Sequence, residues 1–361
     1  MKPTQQLHDL GQSLWLDNIT RPMLDDGVLR RYIDELAVTG LTSNPTIFDE
    51  AIGGSRAYDR SIQQKARTGL QAEALFVELA LEDLRRAADL FRPVFDRTQK
   101  QDGWVSMEVS PLLADDARGT VEAARQIHRM ADRPNLYVKI PGTPAGIGAI
   151  EEAIFAGIPV NVTLLFSREH YLAAAQAYLK GVERRIAAGL DPRVSSVASL
   201  FVSRWDRAVQ DKVPAELVNR LGIAIAQRAY RAYRELIESK RCRDLAAQGA
   251  VPQRMLWAST GVKDPSASPT LYVEALAAPD TIDTMPEKTL LAFAEKGKVP
   301  APMREDGGEA EQMLARFERA GIDVAALAQR LQSEGAQSFV KSWRELMQSI
   351  TEKSSALTAA S

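Results

Sequence analysis

Short apolar runs alternate along this chain with longer stretches in which apolar residues recur every three or four positions. Leu14-Trp15-Leu16-Asp17 reads as a short strand ending on an acid. Residues 24–38 follow with helical spacing, Leu29, Ile33, Leu36 and Ala37 forming one face. Leu41-Thr42-Ser43-Asn44-Pro45 is the next strand end, because Pro45 turns the chain. A long helical region is expected over 55–95, broken near Gly69. Val105-Ser106-Met107-Glu108-Val109 then alternates until Ser110-Pro111 stops it. A helix over 115–130 precedes the run Leu136-Tyr137-Val138-Lys139-Ile140-Pro141, and another over 146–155 follows it. Strand 158–165, helix 167–188, strand 194–202, helix 214–238 and strand 255–259 continue the alternation. A helix at 271–277 leads to a last short strand at 280–285. From about residue 286 the pattern is helical, and it ends in a polar tail, 354–361, expected to fray.

Eight strand candidates separated by helices imply a parallel sheet with helices outside it. A doubly wound open sheet and a closed (β/α)8 TIM barrel both satisfy that rule. No strand is followed by Gly-x-Gly-x-x-Gly; residues 142–148 come nearest, with the wrong spacing and no acid at the expected later strand end. Eight units with polar strand ends favour the α/β barrel. The chain, 1–361, is expected to form one barrel domain with 301–353 as a helical C-terminal extension packed on it. The apolar face of that extension, including Phe317, Leu327, Leu331, Phe339, Trp343 and Leu346, suits packing on the barrel or covering part of its mouth.

Composition narrows the function classes. Lys plus Arg (45) nearly balances Asp plus Glu (47), so no bulk basic field points to nucleic acid or a membrane surface. No apolar stretch approaches the ~20 residues that span a bilayer, and the start of the chain has no continuous apolar leader. The single cysteine, Cys242, excludes an intramolecular disulfide and suits a reducing cytoplasm. Arg241 and Arg243 flank it, yet an inert position on a surface helix is the expected reading. His8, His128 and His170 are too dispersed for a metal site, and His128 reads as exposed. No metal and no cofactor are expected.

Lys139 interrupts an otherwise apolar strand. An ammonium buried there is costly unless paired or neutralised, and burial is how Schiff-base lysines are made nucleophilic. The plain alternative is an edge strand with the lysine in water. Other polar residues fall inside or at the C-terminal ends of several strands: Asp17, Asn44, Glu108, Asn161 with Thr163, Ser199 with Arg204, and Ser259. In a barrel that end builds the active site, so all would converge. A lysine attacking a ketone needs a proton donor to expel water and a base to trigger carbon–carbon cleavage; Asp17 and Glu108 can divide those roles. Thr163, Asn44 and Asn161 can orient a water and sugar hydroxyls, and the Arg204 guanidinium suits a phosphate.

Gly40-Leu41-Thr42-Ser43-Asn44-Pro45-Thr46-Ile47-Phe48 resembles the first signature of the transaldolase family. Leu136-Tyr137-Val138-Lys139-Ile140-Pro141-Gly142-Thr143 resembles the second, which holds that family's Schiff-base lysine. Val160-Asn161-Val162-Thr163-Leu164, Ser199-Leu200-Phe201-Val202-Ser203-Arg204 and Trp257-Ala258-Ser259-Thr260 are similar to three further family strands. The resemblance implies a cofactor-independent (β/α)8 barrel that moves a dihydroxyacetone unit between sugar phosphates in the cytoplasm; the amphipathic exterior helices suit a monomer or homodimer alike. It implies that Lys139 forms the imine and that Asp17 takes and returns the C4 hydroxyl proton. Glu108 and Thr163 would hold the relay water, Asn44 and Asn161 the three-carbon unit, Ser199 and Arg204 the phosphate. Many relatives carry an arginine just after the Ala-Ser pair of the seventh strand. Here Thr260-Gly261-Val262 stands there, and Lys263 is the nearest cation, with Ser259 beside it. A fructose 6-phosphate aldolase-like lyase and an inactive sugar-phosphate-binding barrel are the competing readings. Length argues against the first, and the presence of Lys139, Asp17 and Glu108 against the second.

Overall fold

The computed structural model describes residues 1–70 and 72–359, and among these eight parallel strands close into a barrel in sequence order. They are β1 (Ser13–Asp17), β2 (Val38–Thr42), β3 (Trp104–Glu108), β4 (Leu136–Pro141), β5 (Val160–Leu165), β6 (Ser196–Phe201), β7 (Arg254–Ala258) and β8 (Thr281–Met285). β1 pairs with both β2 and β8, so no sheet edge remains. The strands are buried on both faces, as helices outside and side chains inside require.

Successive side chains on a strand point to opposite faces, so every second residue enters the barrel. The lower interior is aromatic. Trp104 and Tyr137 stack with centroids 4.1 Å apart, and Trp15 lies 6.1 Å from Tyr137. Gly40 makes room for this cluster: a β-carbon there would sit 2.6 Å from the Trp15 indole and 2.8 Å from the Trp104 carbonyl oxygen. Trp15 Nε1 donates to Asp102 Oδ1 at 2.8 Å, which satisfies its one polar atom.

Several helices differ from the pattern-based expectation. Residues 24–38 form two helices, Arg21–Asp25 and Val28–Leu36, separated by Gly27 at φ 68°, and Val38 opens β2. The 55–95 region divides into Arg56–Tyr58, Asp59–Ala66 and Ala72–Arg97; Gln71, at the break, lies outside the described residues. The 214–238 segment is a 3-10 turn, Ala215–Leu217, and a helix, Leu221–Ile237. Two helices, Pro45–Gly53 and Ser203–Val209, begin where the sequence marks only a turn at Pro45 and the end of a strand at 202. Pro45 fixes the first helical φ, and Asn44 Oδ1 accepts from Ile47 N at 3.0 Å as the N-cap.

The polar tail does not fray over 354–359. The last helix, Val324–Ala359, runs through it, and residues 360 and 361 lie outside the described set. It is anchored by Lys353, which donates to the Ile52 carbonyl at 2.8 Å and pairs with Asp59 at 3.1 Å. Further up, Trp343 meets Phe76 edge-on at 5.2 Å, and Phe76 meets Phe48 at 5.4 Å. Leu327, Leu331, Phe339 and Leu346 join the same apolar cluster as the barrel. This helix therefore crosses the C-terminal ends of the strands.

Candidate active site

The interior changes character over two residues per strand. Above Trp15 stands Asp17, above Ser106 stands Glu108, and above Tyr137 stands Lys139. Strand register sets them side by side: Glu108 opposite Lys139, Lys139 opposite Asn161, and Asp17 opposite Thr42. Asp17, Thr42 and Lys139 border a cavity of about 730 Å³ at the mouth, the end where barrel active sites form, and Glu108 reaches it through Lys139.

Lys139 is 5% exposed and lines the mouth cavity, which puts its side chain inside the barrel. Its Nζ lies 3.3 Å from Glu108 Oε2 and donates to the Ser43 carbonyl at 3.2 Å. The Phe339 ring from the last helix stands 5.9 Å from the same atom. Burial pushes the Glu108 carboxyl above the usual carboxylate range, with the Lys139 charge pulling it partly back. Asp17 is raised for the same first reason, against the opposing pull of Lys139 and of its hydrogen bond from Thr42. Thr42 Oγ1 is 2.7 Å from Asp17 Oδ1 and 2.7 Å from Thr284 Oγ1, so a short hydroxyl chain fixes the Asp17 carboxyl. Asp17 does not cap the following helix; Thr20 does. An amine flanked by two carboxyls held toward protonation can add to a carbonyl and shuttle the protons that addition and elimination require.

Asn161 does not line the cavity. It sits just below, with Nδ2 donating to Ser106 Oγ at 3.1 Å and Oδ1 accepting from Ser199 Oγ at 2.7 Å. Ser199 and Thr163 do reach the wall, and Thr163 Oγ1 is buried without a partner, a hydroxyl left free for a ligand or water. Asn44 spends its Oδ1 on the helix cap and lines the cavity beside Thr42. Arg204 lies between two rings, 5.1 Å from Phe201 and 5.8 Å from Phe339. Burial and the nearby Arg207 lower its pKa. Lys263 lines the same wall. Neither cation is ion-paired among the described residues, which leaves both for an anion. Ser259 Oγ is 3.0 Å from Ser203 Oγ, with a left-handed backbone at φ 56°. Leu164 is also left-handed, at φ 59°, and both lie at strand ends facing the mouth, where such strain costs about 1–3 kcal/mol each.

Sequence reasoning missed Thr42, Thr284, Arg207 and Phe339 as members of the site. Thr42 and Thr284 carried a signal, small hydroxyl residues at strand ends. Arg207 follows Arg204 by about one helical turn. Phe339 carried a general one, as part of an apolar helical face suited to the barrel or its mouth, but its place beside Lys139 depends on how a distant helix folds back. Gln332 fixes that helix: its Nε2 donates to the Gly142 carbonyl at 3.0 Å and the Leu164 carbonyl at 2.9 Å. Gly335 lets the helix come close, since a β-carbon there would meet Leu164 at 2.9 Å and Arg204 Nη1 at 3.2 Å. Elsewhere, His128 is half-buried rather than exposed, and Cys242 is half-buried on the helix Lys240–Ala246. Among the described residues no group of His, Cys, Asp or Glu converges as a metal site, and no helix is long and apolar enough to cross a membrane.

A closed parallel barrel with a buried lysine, two carboxyls and unpaired cations at its mouth has the architecture of the lysine-centred aldolase enzymes. The transaldolase/fructose-6-phosphate aldolase family model matches residues 14–350. The chain is 44% identical to the transaldolase of Thiobacillus denitrificans over 97% of its length and all of that protein. It is 43% identical to the transaldolase of Saccharopolyspora erythraea, with 97% of each chain covered, and 38% identical to transaldolase 2 of a Nostoc species, with 96% of each covered. The chain belongs to the transaldolase family.

Proposed function

We propose that this chain is a transaldolase that carries a dihydroxyacetone unit as a Schiff base on Lys139. It would take the unit from sedoheptulose 7-phosphate and pass it to glyceraldehyde 3-phosphate, giving erythrose 4-phosphate and fructose 6-phosphate. The setting is the non-oxidative pentose phosphate pathway of the cytoplasm, with the chain acting as a monomer or homodimer and residues 301–353 as part of one barrel domain. The observation that carries the reading is the buried Lys139 amine, 3.3 Å from Glu108, beneath a cavity whose wall holds the cations Arg204, Arg207 and Lys263, unpaired among the described residues.

The Lys139 amine adds to the ketose carbonyl, and water leaves as the imine forms. Glu108 supplies and recovers the protons, with a water held between it and the free Thr163 hydroxyl. Asp17 takes the C4 hydroxyl proton, the C3–C4 bond breaks, and the aldose phosphate departs while the electron pair stays on the lysine-bound enamine. The second aldehyde is attacked by that enamine, and Asp17 returns the proton to the new hydroxyl. Water then releases the product ketose. Asn44 and Asn161 orient the three-carbon unit, Asn161 through its bonds to Ser106 and Ser199. Arg204, with Ser199, Ser259 and Lys263, receives the phosphate.

The roof supports transfer over release. Leu331 and Phe339 cover the cavity, and the Phe339 ring beside Lys139 limits the water that would protonate the enamine and free dihydroxyacetone. Incubation with fructose 6-phosphate and erythrose 4-phosphate, with both sedoheptulose 7-phosphate and free dihydroxyacetone quantified, tests this. Transfer should dominate by about tenfold or more. Equal release would make the chain an aldolase, and no turnover would make it a binding barrel.

A further inference from the structure

A second cavity, of about 480 Å³, lies at the opposite, N-terminal end of the barrel. Arg254, the first residue of β7, reaches it from inside the barrel and is only 8% exposed. Its Nη1 donates to the Gln101 carbonyl at 3.2 Å; its Nη2 donates to Ser13 Oγ at 2.8 Å and the Thr281 carbonyl at 3.0 Å. Its Nε is buried and has no partner. A strut tying β1, β7 and β8 together would account for the two Nη groups. It would not account for the charge, since every one of those acceptors is neutral and, among the described residues, no carboxylate pairs with the guanidinium. A buried cation with a spare donor is costly unless an anion meets it.

Three more cations stand around the same cavity. Lys100, Arg193 and Arg243 are exposed at its rim, and among the described residues none is ion-paired. Arg243 instead donates to the Glu238 carbonyl. Asp280, the acid in the lining, is held by Arg234 at 3.1 Å. Tyr137, Tyr178 and Tyr233 supply aromatic walls, and Leu179, Val182 and Ile237 make one side apolar. The combination is a recess with surplus positive charge and an aromatic lining, of a size suited to a small organic molecule.

We propose that this cavity binds a small organic phosphate, with its phosphoryl oxygens on Arg254 and its apolar or aromatic body against the tyrosines. A phosphate monoester brings up to two negative charges, matching several cations with no acid of their own, and its oxygens suit an arginine edge. The site is separate from the mouth, which has its own unpaired cations, so the test must tell the two apart.

Phenyl phosphate titrated calorimetrically into the full chain provides the probe. Binding with a Kd of about 1 mM or tighter should persist when the mouth is disabled by Arg204→Met and weaken by about tenfold or more in Arg254→Met. The double variant Lys100→Ala/Arg193→Ala, altered only at exposed rim positions, should keep its fold, lose about threefold or more in affinity and show a shallower salt dependence. Inorganic phosphate should bind at least about fivefold more weakly than phenyl phosphate, because it has no ring for the tyrosine walls. Loss of binding in Arg204→Met with retention in Arg254→Met would place the ligand in the mouth and overturn the proposal. So would absence of binding, or equal affinity for inorganic phosphate. If Arg254→Met does not fold, unchanged affinity in the rim variant overturns it alone.

Discussion

On β1 and on β4, a step of two positions leads from a ring that fills the barrel to an ionisable group that faces its mouth: Trp15 to Asp17, and Tyr137 to Lys139. The two halves of the interior follow from opposite needs. The lower half packs its rings against one another and satisfies Trp15 Nε1 through Asp102, with Arg254 at its floor keeping an unpartnered Nε. The upper half carries carboxyls pushed up by burial, an ion pair out of water, a free Thr163 hydroxyl and two left-handed backbones. Each of those is unfavourable for stability and useful for chemistry. Stability is thus concentrated one layer beneath the place where it is given up.

That contrast can be broken from either side. Lys139→Met should lower transfer turnover by about 10⁴-fold or more, and adding Glu108→Gln should cost little further activity, because the two act as one unit. A steady-state assay of both variants decides it; residual activity near wild type would remove the lysine from the chemistry. In the lower half, Trp15→Ala should cost about 3–5 kcal/mol by denaturant unfolding. Its folded fraction should still react at Lys139. A loss below about 1 kcal/mol would mean the aromatic layer does not carry the fold.

Asp283 tests whether buried charge outside the mouth behaves differently. It lies on the outer face of β8, fully buried, with Oδ1 accepting from Thr260 at 2.9 Å and Oδ2 unpartnered. Burial pushes its pKa up to about 7. An unfolded aspartate ionises near pH 4, so between about pH 4 and 7 the folded chain holds an extra proton and stability falls as pH rises. The contribution is full below about pH 4 and gone above about pH 7, a change of roughly 4 kcal/mol. Asp283→Asn should flatten that part of the pH–stability curve; an unchanged slope would contradict it.

Asp17→Asn should slow cleavage by about 10²–10³-fold while the imine still forms. Because burial raises the Asp17 carboxyl, the acid limb of the wild-type kcat/KM profile should lie above the ordinary carboxylate range and vanish in the variant. The smallest effect is expected from Gln332→Ala, which removes two hydrogen bonds holding the last helix over the mouth. It should cost about 1–2 kcal/mol and raise the share of dihydroxyacetone released to water. An unaltered partition would mean the helix does not guard the enamine.

Much of this was legible in the sequence because barrel strands are short, apolar and separated by helices, and because an ionisable residue in such a strand is conspicuous. Lys139, Glu108 and Asp17 could be picked out on that ground alone. What one dimension hides is which strand residues share a layer and what returns from far away. Asn161 reads as a contact residue, yet its amide is spent on Ser106 and Ser199 and it lies outside the cavity wall. Phe339 looks like one more apolar position of a helical face, and only the docking of Gln332 on Gly142 and Leu164 brings it over Lys139. The short helices Pro45–Gly53 and Ser203–Val209 escaped because each starts at a strand end, where cap and turn residues look alike.

The most direct measurement is borohydride reduction of the chain with fructose 6-phosphate, followed by peptide mass spectrometry. A three- or six-carbon adduct should appear on Lys139 and be absent from a Lys139→Arg variant. Label on another lysine, or no label at all while transfer proceeds, would contradict the account.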